Sequence, residues 1–308
     1  MATNTSKVLA FLLTTLAILL LHGESCTAFN TGKPTTSLRS YPSPSTTLPF
    51  PIVPKSTRAF HPHSMTSIDN PPSSFRYDAV DWTALVKYPI GLAGQLVLLF
   101  GFFTGMDKIL AHTSSLRRVP FAVNVVFLYL FNLKSSLVSI LPNSKSERRK
   151  LKQEKWEYNK RKVASWTPPG IAFVFGWPLL TFGLRAGTGA MIVEASGGRY
   201  ATSALMSLML HLAVGDLWNT VNNVEDRLGF SVLLIYVLWL TKAFAALQFY
   251  KVQPMAGKLL AVTLTWLTAA VALLTRTWQI NPDPLTGKRE PLLPMQHPKW
   301  NTKFRWEQ

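Results

Sequence analysis

The chain has 308 residues, of which 48% are hydrophobic and only 15% charged, and its mean hydropathy is +0.16. Soluble domains carry about 25% charged residues, so the composition argues against an ordinary soluble domain and for an integral membrane protein. The formal net charge of +17 would suit nucleic acid, but the cations sit between apolar runs and in the tails, with no nucleic-acid motif beside them. A lipid membrane is the expected partner, and nucleic acid is not.

Lys7 precedes the apolar run of residues 8–22, and "GESCTA" follows it. A basic start, an apolar core and small residues at a cleavage site make a signal peptide, cut near Ala28. The alternative is a retained anchor helix. Residues 29–78 are rich in Ser, Thr and Pro, and they contain no acid before Asp69. That is the chemistry of a transit peptide, and it buries too little apolar surface to fold alone. A signal peptide followed at once by Phe29 and such a stretch resembles the bipartite presequences of complex plastids in algae such as diatoms. The resemblance implies a plastid location, in the envelope or the thylakoid. Cys26, the only cysteine, lies in the segment expected to be removed. The mature chain is then left without a thiol nucleophile or a Cys metal site.

Six apolar segments follow. The first, about residues 88–106, lies within 79–116. The other five, about 119–141, 169–193, 201–222, 229–250 and 256–275, lie within 117–280. Each is long enough, or nearly so, to cross the hydrocarbon, and each must be helical because lipid satisfies no backbone donor or acceptor. Lys134, Arg185 and Lys242 fall inside spans. Six spans place both tails and the basic loop of residues 142–167 on one side. The Lys/Arg bias of that loop and of the tail, residues 281–308, assigns that side to the stroma or cytosol. The loop is read as solvated, with anionic head groups as its alternative partner.

Trp166-Thr167-Pro168-Pro169 opens the third span. Proline costs little there, because the first helical N–H groups have no partner in any case. In the fourth span His211, Gly215, Trp218 and Asn222 share one helical face, and Asp216, Asn219 and Asn223 share the next. An ionisable group in a span is costly and turns to the bundle interior. Asp216 is therefore expected to meet either a ligand or a neighbouring helix. Asn222 and Asn223 are read chiefly as a helix end, Glu225 and Asp226 as a helix-end or loop feature, and His211 as a satisfied histidine. Trp177, Trp239 and the deep Trp266 could wall a cavity for a flat ligand, or pack as core or against lipid. Trp278 with Arg276 reads as an interfacial pair.

The segments "W166TPP", "GW177", "LAVGDLW218N" and "VQPMAGKLLAVTLTW266LTAAVALLTRTW278" resemble the translocator protein family, the tryptophan-rich sensory proteins (TspO/MBR). The resemblance covers about residues 119–280. It implies an all-α integral membrane fold: a five-helix translocator-type bundle, with the span near residues 88–106 as one extra N-terminal transmembrane helix. Family members form dimers, and Gly183, Gly187 and Gly189 would allow close packing of a homodimer. The family's tetrapyrrole binding implies a site for haem, protoporphyrin or another flat apolar molecule. Its walls would be Trp166, Pro168, Pro169, Trp177, Trp218, Phe249, Trp266 and Ala270, with Asp216 and Asn219 as polar contacts. Thr275 and Gln279 stand where the family's sterol-associated motif has Tyr and a basic residue, which argues against steroid binding by that motif.

No catalytic or metal motif is present, and no cofactor is required. The expected function is binding of such a ligand for transport, sequestration or signalling. The rivals are light-dependent breakdown of a porphyrin at the tryptophans and a ligand-free membrane scaffold.

Overall fold

The computed structural model describes residues 79–112, 119–142, 161–283, 287–296 and 301–307. The expected signal peptide, the transit-like segment and residues 143–160 of the basic loop lie outside the described residues. Six helical columns run through the described residues. We number them α1 (Trp82–His112), α2 (Phe121–Lys134, continued by a 3-10 turn, Ser135–Val138), α3 (Gly170–Phe175, Gly176–Gly183 and Leu184–Ala195 in one column), α4 (Ser203–Glu225), α5 (Leu228–Val252) and α6 (Pro254–Ile280). Four of them, α1, α4, α5 and α6, are long and apolar enough to cross a membrane. The chain is an all-α membrane bundle, and α1 extends well past both ends of the span expected from hydropathy.

The sequence chemistry accounts for the breaks. Pro178 has no N–H to give, so the hydrogen-bond ladder of α3 loosens into π-helical turns over Gly176–Gly183. The last turns of α4, Thr220–Glu225, are also π-helical, and Asp226 ends the helix with φ 65°. Aspartate tolerates that left-handed conformation as few side chains do. Asn222 and Asn223 are thus not the helix end but its last wide turns. A single residue, Gln253, joins α5 to α6, and Pro254 starts α6 where a missing N–H costs little. The turn is so tight that a Cβ on Gly257 would lie 2.5 Å from the backbone of Tyr250.

α5 packs on both α4 and α6, α2 on the inner half of α3, and the extra helix α1 on α4. Two apolar cores result. At the end away from the tail, Leu99, Phe103, Phe127, Phe131, Tyr200 and Phe249 pack together. Here α1 also holds the loop before α4, as the Asp107 carboxylate accepts from the backbone N–H groups of Tyr200 and Ala201, each at 2.8 Å. Nearer the tail, Tyr88, Trp218, Phe230, Leu267 and Ala270 form the second core. Gly189 is already used inside the chain, since a Cβ there would meet Leu128 of α2 at 2.9 Å, whereas Gly187 faces open space.

The basic tail is docked. Asp81 N donates to Pro294 O at 2.8 Å, and Val80 bridges to Met295. Trp278 Nε1 donates to Glu290 O at 2.8 Å, and its ring faces Arg289 rather than Arg276, which bonds Gln279. Arg305 donates to the carbonyls of Ser136 and Leu137, and Lys87 pairs with Glu307 at 2.7 Å. The start of α1 and the tail therefore meet at one end of the bundle, as an even number of spans requires.

Candidate functional site

The tail-side end gathers the motif residues. Lys162 N donates to Asn281 Oδ1 at 2.7 Å, and Asn281 Nδ2 returns a bond to Lys162 O at 2.8 Å. This pair fastens the segment before Trp166 to the end of α6. The segment then turns, with Thr167 bonded back to Ala164 O, so that Trp166 stands 51% exposed beside the entry to α3. Pro168 is half-buried, and Pro169 is exposed as the extended residue just before α3.

Just inside lies an aromatic corner. The rings of Trp177 and Trp266 meet edge to face, with centroids 6.3 Å apart, and Phe173 meets Trp266 at 5.6 Å. Ala164 and Leu273 complete this cluster, and Trp177 reaches the core that contains Ala270. The indole of Trp266 lies over Gly176, where a Cβ would come within 2.5–2.8 Å of the ring. Glycine at 176 is thus what lets the ring lie flat on α3. The indole nitrogens of Trp177 and Trp266 are both buried, and neither finds an acceptor among the described residues. Buried indole N–H groups usually have one.

The other aromatic candidates are placed differently. Trp218 donates to Ser231 O at 3.1 Å and packs in the second core. Trp239 donates to Thr268 at 2.9 Å near the surface. Phe249 is fully buried in the core at the opposite end, away from Trp177 and Trp266. Its position near the end of α5 puts it there.

Among the polar candidates, Asp216 accepts from Gln95 Nε2 of α1 at 2.7 Å, so it turns to the extra helix. Asn219 accepts from Asn223, which in turn accepts from Asn222. Arg161 donates to Asn222 Oδ1 at 3.0 Å and pairs with Asp226. This chain of amides lines the tail-side end beside the entry segment.

Composition concealed two further features, Phe173 with Gly176 and a group of buried ions. Arg227, with a fully buried side chain, pairs with Asp81 at 2.6 Å and Glu225 at 2.9 Å, and the Tyr88 hydroxyl bonds Glu225. Glu225 is therefore a buried ion at the helix end. Farther in, Arg185, His211 and Lys242 come together from α3, α4 and α5. Charge inside a span was the signal for Arg185 and Lys242, but their convergence needed the fold. Outside the spans, burial pushes the Glu290 carboxyl up to about 7, against the N–H groups of Leu228 and Gly229 that hold it lower. Among the described residues, no group of three or more His, Cys, Asp or Glu is placed to hold a metal ion.

A model of the TspO/MBR family matches residues 131–279. Protein CrtK of Rhodobacter capsulatus is 26% identical over 125 residues, which are 41% of this chain and 78% of that protein. The family match begins in α2 and ends in α6, so it takes in the aromatic corner and leaves α1 outside.

Proposed function

The chain belongs to the TspO/MBR family through residues 131–279, and from that premise we propose that it binds a tetrapyrrole, or another flat apolar ligand, at the corner formed by Phe173, Trp177 and Trp266. The carrying observation is the pair of buried indole N–H groups without an acceptor. A ligand with acceptor atoms would supply what they lack, and the rings offer it apolar faces. Trp166, Pro168 and Pro169 stand at the entrance, and Ala270 lies behind Trp177. Because Trp266 rests on Gly176, ligand entry requires the indole to move off that seat.

The role is holding a ligand in the membrane, for transport, sequestration or signalling, with protoporphyrin and haem as the first ligands to try. The leader segments support a plastid membrane as the location, and a fluorescent fusion of the full chain checks that. The binding test is titration of the purified protein in detergent with protoporphyrin, haem and a sterol, read by tryptophan fluorescence quenching. Protoporphyrin or haem should quench saturably. Changing Trp177 or Trp266 to Leu should weaken binding by about 3- to 10-fold, the worth of one aromatic contact. Unchanged affinity in both variants would move the site elsewhere.

A further inference from the structure

Eight residues beyond Trp177 along α3, past the π-helical turns, lies Arg185, 6% exposed. One of its terminal nitrogens is 2.8 Å from His211 Nε2. A guanidinium only donates, so Nε2 is the acceptor and His211 carries its proton on Nδ1. That nitrogen faces Leu238 O at 3.2 Å and Thr241 Oγ1 at 3.4 Å. His211 is then a neutral strut that fixes the guanidinium, and Phe182 covers the guanidinium from one side at 5.6 Å. Lys242 on α5 is 1% exposed and close enough to act on both Arg185 and His211 electrostatically.

The donors that remain are the telling ones. Arg185 Nε and Lys242 Nζ are buried, and neither has a hydrogen-bond partner among the described residues. Asp216 acts on Arg185 electrostatically and accepts from Gln95 Nε2 at 2.7 Å. Two cations therefore stand against one carboxylate in the middle of the bundle. An ionisable group at that depth normally pairs with another or marks a ligand path, and a buried cation without a partner is strongly unfavourable.

We propose that Arg185 and Lys242, with His211 as the strut, form an internal site for the carboxylate of an apolar acid. The anion is a carboxylate on two grounds. The Arg and Lys donors make short, charge-assisted bonds to carboxylate oxygens. A carboxylic acid can also enter hydrocarbon as the neutral acid, whereas a phosphate or sulfate ester cannot. The acid's apolar body would lie toward Trp177 and Trp266, which share α3 and α6 with the path inward. The proposal deepens the reading of the aromatic corner as a tetrapyrrole site, and rests on it for the identity of that body, because a protoporphyrin carries two carboxylates on one edge.

The test uses the full chain purified in detergent and two matched pairs of probes. The first pair is protoporphyrin and its dimethyl ester, followed by fluorescence quenching. The second is hexadecanoate and methyl hexadecanoate, followed by the shift in Tm. The wild-type protein should bind protoporphyrin at least about ten-fold tighter than the ester, as a charge-assisted contact implies. Lys242→Met should remove that preference by weakening the acid alone, while Lys242→Arg keeps it. Hexadecanoate should raise the Tm of the wild-type protein, and its ester should not. Without ligand, Lys242→Met should melt higher than wild type, which reports that the variant folds and that the cation was uncompensated. If neither porphyrin binds but hexadecanoate stabilises the wild type and not Lys242→Met, the tetrapyrrole reading falls and the acid site stands. Equal binding of acid and ester in both pairs, or an acid preference that survives Lys242→Met, overturns the proposal. An amine held neutral in the membrane would give that first result.

Discussion

At the tail-side end Arg227 is as buried as any side chain in the protein, and it is surrounded by matched partners: Asp81, Glu225, the hydroxyls of Tyr88 and Thr302, and the carbonyl of Met295. Deeper in, Arg185 and Lys242 are equally buried and lack such partners. The first group joins α1, α4 and the tail, three parts of the chain with no other reason to converge. The second joins three helices that also share the apolar core at the far end. Matched buried charge fixes an assembly, whereas unmatched buried charge lowers stability and is explained by something it waits for. Substitutions at the two places should consequently have opposite signs.

The largest effect is expected at Arg227. Arg227→Met would leave Glu225 and Asp81 buried beside an apolar chain, and breaking one partner of such a cluster costs about 3–5 kcal/mol. Thermal melting in detergent should show a large drop in Tm, together with protease cleavage of a released tail. The same exchange at Lys242 should raise Tm. A drop of similar size at both positions would erase the distinction between the two groups.

A comparable effect follows from Glu290, which belongs to the docked tail. Its value of about 7 in the folded protein lies above the ordinary 4.5. The folded state therefore binds this proton more tightly than the unfolded state. The resulting stability is fully present below about pH 4.5, declines as pH rises to about 7, and is then constant, for a total of up to about 3 kcal/mol. Glu290→Gln should flatten that part of the stability curve. A slope unchanged by the substitution would assign it to another group.

Gly229 tests the tail from the other side. A Cβ there would lie 2.2 Å from Pro291 O and 2.7 Å from Glu290 O. Backbone cannot yield as a side chain can, so Gly229→Ala should lift the tail off the start of α5, at about 1–3 kcal/mol. Trp278, whose indole donates to Glu290 O, gives the optical readout. Its emission should shift to the red in the variant and stay as in wild type if the tail remains seated.

These contrasts also show what the sequence makes legible. The helical columns could be read from their apolar runs, although only four of the six are long and apolar enough to cross a bilayer. The entry motif could be read as well, since Pro168 and Pro169 have few other uses before a helix. The tail could not, because its seat is one glycine, a row of backbone carbonyls and scattered side-chain pairs such as Lys87–Glu307, none of which leaves a pattern. Nor could Trp218 be told from Trp177. They are the same residue at similar depth, and what separates them is whether a neighbouring carbonyl, Ser231 O, lies in reach. Phe249, expected among the walls of the site, sits at the far end of α5, away from the corner. Arg185 and Lys242 were visible singly as charges in spans. Their meeting depends on the rotation of α3 and α5 about their axes, and the loosened turns around Pro178 alter that of α3.

The smallest expected effect concerns the link between α1 and the inner charges. Gln95 is buried, and its Nε2 donates to Asp216, the acid that acts on Arg185. Gln95→Leu removes a donor to a carboxylate and should cost about 1–2 kcal/mol. Part of that loss is indirect. With one donor fewer, Asp216 holds its negative charge less well and offsets less of the positive charge of Arg185 and Lys242. If Lys242 is first changed to Met, there is less positive charge to offset, and the loss of Gln95 should matter less. The two substitutions should therefore be non-additive, with Gln95→Leu costing at least about 0.5 kcal/mol less in the Lys242→Met background than in wild type. Chemical unfolding of the four proteins measures this coupling directly. Simple additivity would mean that α1 fastens to α4 at Asp216 without sensing the inner cations, and the extra helix would then be a brace with no bearing on the internal acid site.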